Sequence, residues 1–316
     1  MKKSFLLFIV LTLSLAVFGN FPAAGDSALF GVYDLTTMMY GGTEMDPGSM
    51  GMSAELMLNE DGTGSLTMNG APSELPKWTD DGGTVTLYNA NGDALPCAYA
   101  DGIITLEMGE NYYWYFMHES VNPNAGKPAS MLSKLFDEID PMAGAHLSYE
   151  YHADYLDSTS IFDVHAKDGA YFSLRTTIVS GHEGVKAECF LDGTVYVLYP
   201  DENRGSVATT VSLSMLNNNV LMLDDCYKAM HSRVLRKDYT VEERELDGKK
   251  YTAEVFPTSG NSPEAVFYYD ETGKLTHILE GAPVIMPDMG KTFYTIHSFD
   301  DAVDSSLFDL SGYTIE

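Results

Sequence analysis

Carboxylates are the most abundant side chains in this sequence that could do chemistry. Doublets stand at Asp80-Asp81, Asp224-Asp225 and Asp300-Asp301. A glycosidase-type hydrolase needs two such groups roughly 5–10 Å apart across a cleft. Neighbours in sequence do not create that separation, so the doublets read first as solvated turns. The eight histidines, among them His146, His152, His165 and His231, are scattered. No H-x-H or H-E-x-x-H spacing and no adjoining cysteine pair is present, so no metal site is readable. His146, His152 and His165 could meet only if strands bring them together. No G-x-S-x-G elbow occurs, and the turns at 59–64 and 270–274 lack the spaced ligands of a calcium loop. The expectation is a protein without catalysis, metal or cofactor.

Residue types suited to binding are clearer. Met38, Met39, Met45, Met50, Met52 and Met57 crowd around Gly and Pro. Thioethers select Cu(I), and they also make adaptable apolar surfaces. Copper binding, a mobile lip over a cavity and plain packing are all open readings. Residues 112–116 read Tyr-Tyr-Trp-Tyr-Phe. On a strand, Tyr112, Trp114 and Phe116 share one face and Tyr113 and Tyr115 the other. That face is either core or the lining of a pocket. The candidate ligand-binding residues are Met38, Met39, Tyr112, Trp114 and Phe116, joined in the second half by Phe172 and Leu174.

Forty-six acidic against 18 basic residues give a formal charge of −28. Such a charge repels phosphate backbones, which excludes nucleic acid as a partner. Residues 2–18 run from Lys2-Lys3 into an apolar stretch, with small residues after it. That is the layout of a secretory signal peptide, here 1–25, too short to span a bilayer comfortably. The expected address is secreted or extracytoplasmic, at a bacterial cell surface, with no transmembrane segment after processing. Three cysteines make no disulfide scaffold, although an exported chain permits one bridge, with Cys189–Cys226 the better pair.

Elements to position these residues follow from turn signals. Asp-Gly and Asn-Gly pairs at 61, 81, 91, 101, 168, 192 and 247 favour hairpins, and the stretches between them alternate apolar and polar residues. The sequence is read as mainly β. A small antiparallel β-barrel spans 26–118 and a Pro/Asn-rich linker 119–130. A curved antiparallel half-barrel sheet over 131–316 wraps one to three helices. One helix is expected at 131–139, capped by Ser130, and one or two short ones within 207–236.

Two resemblances follow from these residues. Gly31-Val32-Tyr33-Asp34-Leu35, Asp61-Gly62-Thr63-Gly64, Trp78 and Tyr99-Ala100-Asp101-Gly102 resemble the small lipocalin-like barrels of exported bacterial proteins. Residues 163–177, 190–199 and the ending Asp304-Ser305-Ser306-Leu307-Phe308-Asp309-Leu310-Ser311-Gly312-Tyr313 look like the lipoprotein-carrier superfamily. That resemblance implies an open half-barrel that holds acyl chains. The expected function is therefore binding of a lipid or other apolar molecule. The alternatives are a surface module for a protein or glycan with filled β domains, and a secreted hydrolase using paired carboxylates.

Overall fold

Alternation of apolar residues with hairpin turns gives a mainly β chain. The computed structural model describes residues 29–139, 143–216, 219–260 and 262–316. The expected signal peptide lies outside the described residues. Two compact units divide between Lys127 and Pro128, inside the stretch read as a linker. Part of that stretch is ordered against the first unit: Asn122 Nδ2 donates to Asp34 at 3.0 Å.

The first unit opens with β1 (Gly31–Tyr40), β2 (Thr43–Met45), β3 (Ala54–Leu58), β4 (Gly64–Met68) and β5 (Ala71–Leu75). It continues with β6 (Lys77–Asp80), β7 (Thr84–Tyr88), β8 (Ala94–Ala100), β9 (Ile103–Gly109) and β10 (Tyr112–His118). The strands run in the order β5-β4-β3-β1-β10-β9-β8-β7-β6, β2 adds to β1, and β10 returns to pair antiparallel with β1. The sheet is thus a nearly closed barrel whose two ends, β5 and β6, are consecutive in the chain. Trp78 crosses that gap. Its backbone N–H donates to Gly62 O at 2.7 Å, and its indole donates to Asn59 O at 3.0 Å.

In β1 a bulge between Leu35 and Thr37 changes the inward register. Tyr33, Leu35 and then Met38 point into the core, because the extra residue turns the strand over by one position. The turn chemistry is as the sequence predicts: at Asp101-Gly102, φ is 52° and 78°, the two positive values a tight hairpin of this hand requires.

The second unit begins with helix α1 (Met131–Glu138), whose N-terminal Ser133 N–H is capped by the Ser130 hydroxyl as predicted. A meander follows: β11 (Ala145–Ala153), β12 (Ser158–Lys167), β13 (Ala170–Val179), β14 (His182–Leu191), β15 (Thr194–Tyr199) and β16 (Arg204–Thr210). The chain then crosses the sheet through 3-10 turns and helix α2 (Asp225–His231). It returns as β17 (Thr240–Leu246), β18 (Lys249–Phe256), β19 (Ala265–Tyr269), β20 (Leu275–Glu280) and β21 (Thr292–Asp300), and ends in β22 (Thr314–Ile315). β21 seats beside β11, so two meanders fuse into one twelve-stranded sheet.

One face of this curved sheet packs on α1, α2 and the turn at 220–223. Leu132, Leu147, Tyr149, Val164, Phe190, Leu221, Tyr227, Met230 and Phe267 form its core. Each such side chain, fully buried, contributes roughly 1.5–3 kcal/mol. On the opposite face the C-terminal turns lay Leu307, Phe308, Leu310 and Tyr313 over Phe172, Ala187, Cys189 and Leu198. The three cysteines are free and buried. Cys226 belongs to the helix-covered core and Cys189 to the opposite face. The sheet separates them, so the expected bridge does not form.

Candidate functional site

The barrel brings together most of the residues read as binding candidates. Met38, Trp114 and Phe116 are buried in its core and Tyr112 packs against them. The Tyr112 hydroxyl donates to Met38 Sδ at 3.6 Å, and its ring stands edge-on to Trp114 with centroids 6.2 Å apart. Leu56, Leu58, Val85, Leu87, Ile104 and Leu106 fill the remainder. Met39 alternates to the outside, half-buried. The interior is therefore occupied by the protein's own side chains. One polar atom there is unmatched: Trp114 Nε1 is buried with no hydrogen-bond partner among the described residues. Cys97 is part of the same core, and burial pushes its thiol up to about 12, which makes it an inert apolar filler.

Phe172 and Leu174 lie elsewhere. They share the face of the second sheet that the C-terminal turns cover, because Tyr171 is the residue of β13 that points under the helices. The two sets of candidates thus belong to two units.

Under α2 the second unit opens a cleft of about 370 Å³ lined by Tyr151, Asp225, Lys228, Ser232, Arg233 and Glu280, with Ala229 and Tyr294 completing it. Its wall is aromatic: the Tyr151 and Tyr294 rings meet at 5.5 Å and 60°. Its floor is ionic. The Arg233 guanidinium, 3% exposed, pairs with Glu280 at 2.7 Å and donates to the carbonyls of Ala229 and Pro263 at 2.9 and 3.0 Å. Arg233 Nε is buried without a partner among the described residues. At the rim Lys228 pairs with Asp225 at 2.6 Å. Both carboxylates lining the cleft are thus ion-paired.

Beneath the cleft, Asp224 is fully buried as the N-cap of α2, accepting from Tyr227 N and from the Tyr149 hydroxyl at 2.8 Å each. Desolvation raises its carboxyl to about 6 despite those two bonds. Helix α1 is fixed in a parallel way by Glu254, a buried inward residue of β18. Its carboxylate accepts from the N–H groups of Met131 at 2.5 Å and Leu132 at 3.1 Å, and from the Tyr269 hydroxyl at 3.2 Å.

Of these cleft residues only Asp225 was named from the sequence, as half of the Asp224-Asp225 doublet read as a solvated turn. Arg233 and Glu280 lie 47 positions apart on different elements, so their pairing leaves no local trace. The usable signal was modest: Tyr151 and Tyr294 stand on strands flanked by apolar inward positions.

Two of the scattered histidines do converge. His146 and His165 are cross-strand partners on β11 and β12, on the face away from the helices, and their rings stack at 4.5 Å. Asp163 lies between them, Oδ1 at 2.8 Å from His146 Nε2 and Oδ2 at 3.4 Å from His165 Nε2. The hydrogen bond from His165, opposed by desolvation and aided by the hydrogen bond from His146 and by the charges of both rings, holds the Asp163 carboxyl down at about 2. His152 is exposed, six residues further along β11, and takes no part.

No family model and no curated protein matches the chain. Among solved structures it is similar to an uncharacterised conserved protein from Thermus thermophilus, at 8% identity over 59% of this chain and 97% of that one, TM-score 0.32. The Mycobacterium tuberculosis lipoprotein LppX aligns at 12% over 55% and 97%, TM-score 0.30. A LolA superfamily protein from Nitrosomonas europaea aligns at 11% over 57% and 96%, TM-score 0.24. Function therefore has to be argued from this chain's own residues.

Proposed function

We propose that this is an exported, non-catalytic binding protein whose second unit holds a lipid or another molecule with an apolar body and a polar end. The carrying observation is the cleft under α2, where the Tyr151 and Tyr294 rings stand above the Arg233–Glu280 pair. Its volume falls in the range of small-molecule sites, and its lining sets two tyrosine rings and Ala229 against five polar or charged residues, a make-up suited to the polar end of such a molecule. The leader at 2–18 supports export, and the lipoprotein-carrier resemblance of this half supports an acyl ligand. The filled barrel favours a different role for the first unit, an interaction module for a protein or glycan. Side chains occupy the volume a ligand would need.

The test is uptake of a fluorescent fatty acid by the purified protein, with native mass spectrometry of whatever copurifies. Uptake is expected, and Ser232→Trp, which fills the cleft, weakens it at least about tenfold, equivalent to about 1.4 kcal/mol. No copurified amphiphile and no probe uptake, or uptake indifferent to Ser232→Trp, overturns the assignment to this cleft.

A further inference from the structure

We propose that His146 Nε2, the Asp163 carboxylate and His165 Nε2 form a binding site for a divalent transition ion of the zinc type, on the face of the second sheet opposite the helices. Two imidazoles and one carboxylate are the donor set such borderline ions take, with a fourth position left for water or an anion. The three donor atoms lie within 4.8 Å of one another. In a tetrahedral site with bonds near 2.0–2.1 Å the donors stand roughly 3.4 Å apart. The two edges to Asp163, 2.8 and 3.4 Å, are already of that order, and coordination requires the stacked His146 and His165 rings, now 15° from parallel, to rotate so that both Nε2 atoms converge.

The surroundings of His146 point the same way. Its Nδ1 faces Asp300 Oδ1 at 3.3 Å, across the register pair that joins β11 to β21. With Nε2 on a metal, the imidazole proton sits on Nδ1 and Asp300 Oδ1 is placed to accept it, beside the Ser298 hydroxyl at 3.4 Å, the support that metal-bound imidazoles usually have. Nε2 meets a carboxylate oxygen at 2.8 Å. In the metal-free protein that contact is a hydrogen bond to Asp163, and a bound ion takes the place of its proton. A net charge of −28 raises the local concentration of cations around the whole molecule.

His165 must change its hydrogen bonding to join. At present its Nδ1 accepts from the Asp304 backbone N–H at 3.3 Å, which places its proton on Nε2, toward Asp163. Coordination through Nε2 moves that proton to Nδ1. The Asp304 backbone N–H then loses its acceptor. Metal binding thereby couples to the turn that begins the C-terminal cover of residues 304–313.

The experiment titrates zinc by calorimetry and Co²⁺ by its visible absorption into the purified protein, with ring ¹⁵N spectra of its eight histidines. One equivalent is expected to bind, with the visible band of a low-symmetry site, and the rings of His146 and His165 are the two that shift. Asp300→Asn weakens binding about 10–100-fold. His146→Ala and His165→Ala weaken it further, while His152→Ala on the same strand leaves it unchanged. Affinity falls as pH drops and protons compete for the imidazoles. Absence of a bound equivalent, shifts at other histidines, or an equal loss in His152→Ala overturns the site. The ring spectra need no variant, so the outcome does not depend on how well the substituted proteins fold.

Discussion

Glu254 shows what one buried residue does here. A carboxylate on a strand is usually an outward residue, yet this one is 1% exposed and accepts two backbone N–H groups at the start of α1. The first turn of a helix has unpaired donors and carries partial positive charge, so an anion there is doubly favoured. Glu254→Ala leaves those donors buried without acceptors and is expected to cost about 3 kcal/mol; Glu254→Gln, which keeps an acceptor but not the charge, costs about half of that. Urea denaturation of the three proteins checks the order. Equal stability of Glu254→Ala and the parent would show that α1 is held by its apolar face alone. Nothing in the sequence marks Glu254, since alternation along 249–256 puts a glutamate among Thr, Ala and Val as a solvent-facing residue would be.

At the scale of elements, α2 rests on a carboxyl that titrates in an unusual window. Asp224 titrates near 3.8 when unfolded and about 6 when folded. Between those values the folded chain keeps a proton the unfolded chain has released. The stability this group contributes is therefore fully present below about pH 4 and lost as pH rises through 6, by roughly 3 kcal/mol in all. Asp224→Asn keeps the cap, removes the titration, and is expected to narrow the stability difference between pH 4.5 and 7 by that order. Denaturant midpoints at the two pH values measure it, and an unchanged difference refutes it. Asp163 runs the opposite way. Its folded carboxyl sits at about 2, so its contribution is present above about pH 4 and disappears as pH falls toward 2.

Element positions were legible where local chemistry repeats. The Asp-Gly hairpins, the Ser130 cap and the strands at 172–178, 251–255 and 293–299 all follow from turn residues and alternation. Strands β5 and β8 were not legible, because Pro72 and Pro96 interrupt the pattern. Pro72 is accommodated because β5 ends its sheet. The site was less legible still. The barrel face of Trp114 and Phe116 could be read but not its filling, and the Arg233–Glu280 floor exists only through tertiary pairing.

For the molecule as a whole, charge is the dominant property. A formal −28 over 316 residues makes the folded state repel itself, and salt shortens the reach of that repulsion from ~10 Å at 0.1 M toward ~3 Å at 1 M. Raising NaCl from about 20 to about 500 mM is expected to lift the thermal midpoint by roughly 2–4 °C, equivalent to about 1 kcal/mol for a unit of this size. A midpoint that falls instead would mean that surface ion pairs such as Lys250–Glu243 outweigh the net repulsion.

The seam where β21 docks on β11 has a consequence for how this chain comes into being. His146 and Asp300, paired across it, are 154 residues apart in sequence. During synthesis the meander β11–β16 emerges first and must wait, with the β11 edge unpaired, until nearly the whole polypeptide has appeared. Contacts so distant in sequence form slowly, and a bare edge invites pairing with another nascent copy. Truncated products ending before residue 292 keep that edge bare and are therefore expected to aggregate where the full chain does not.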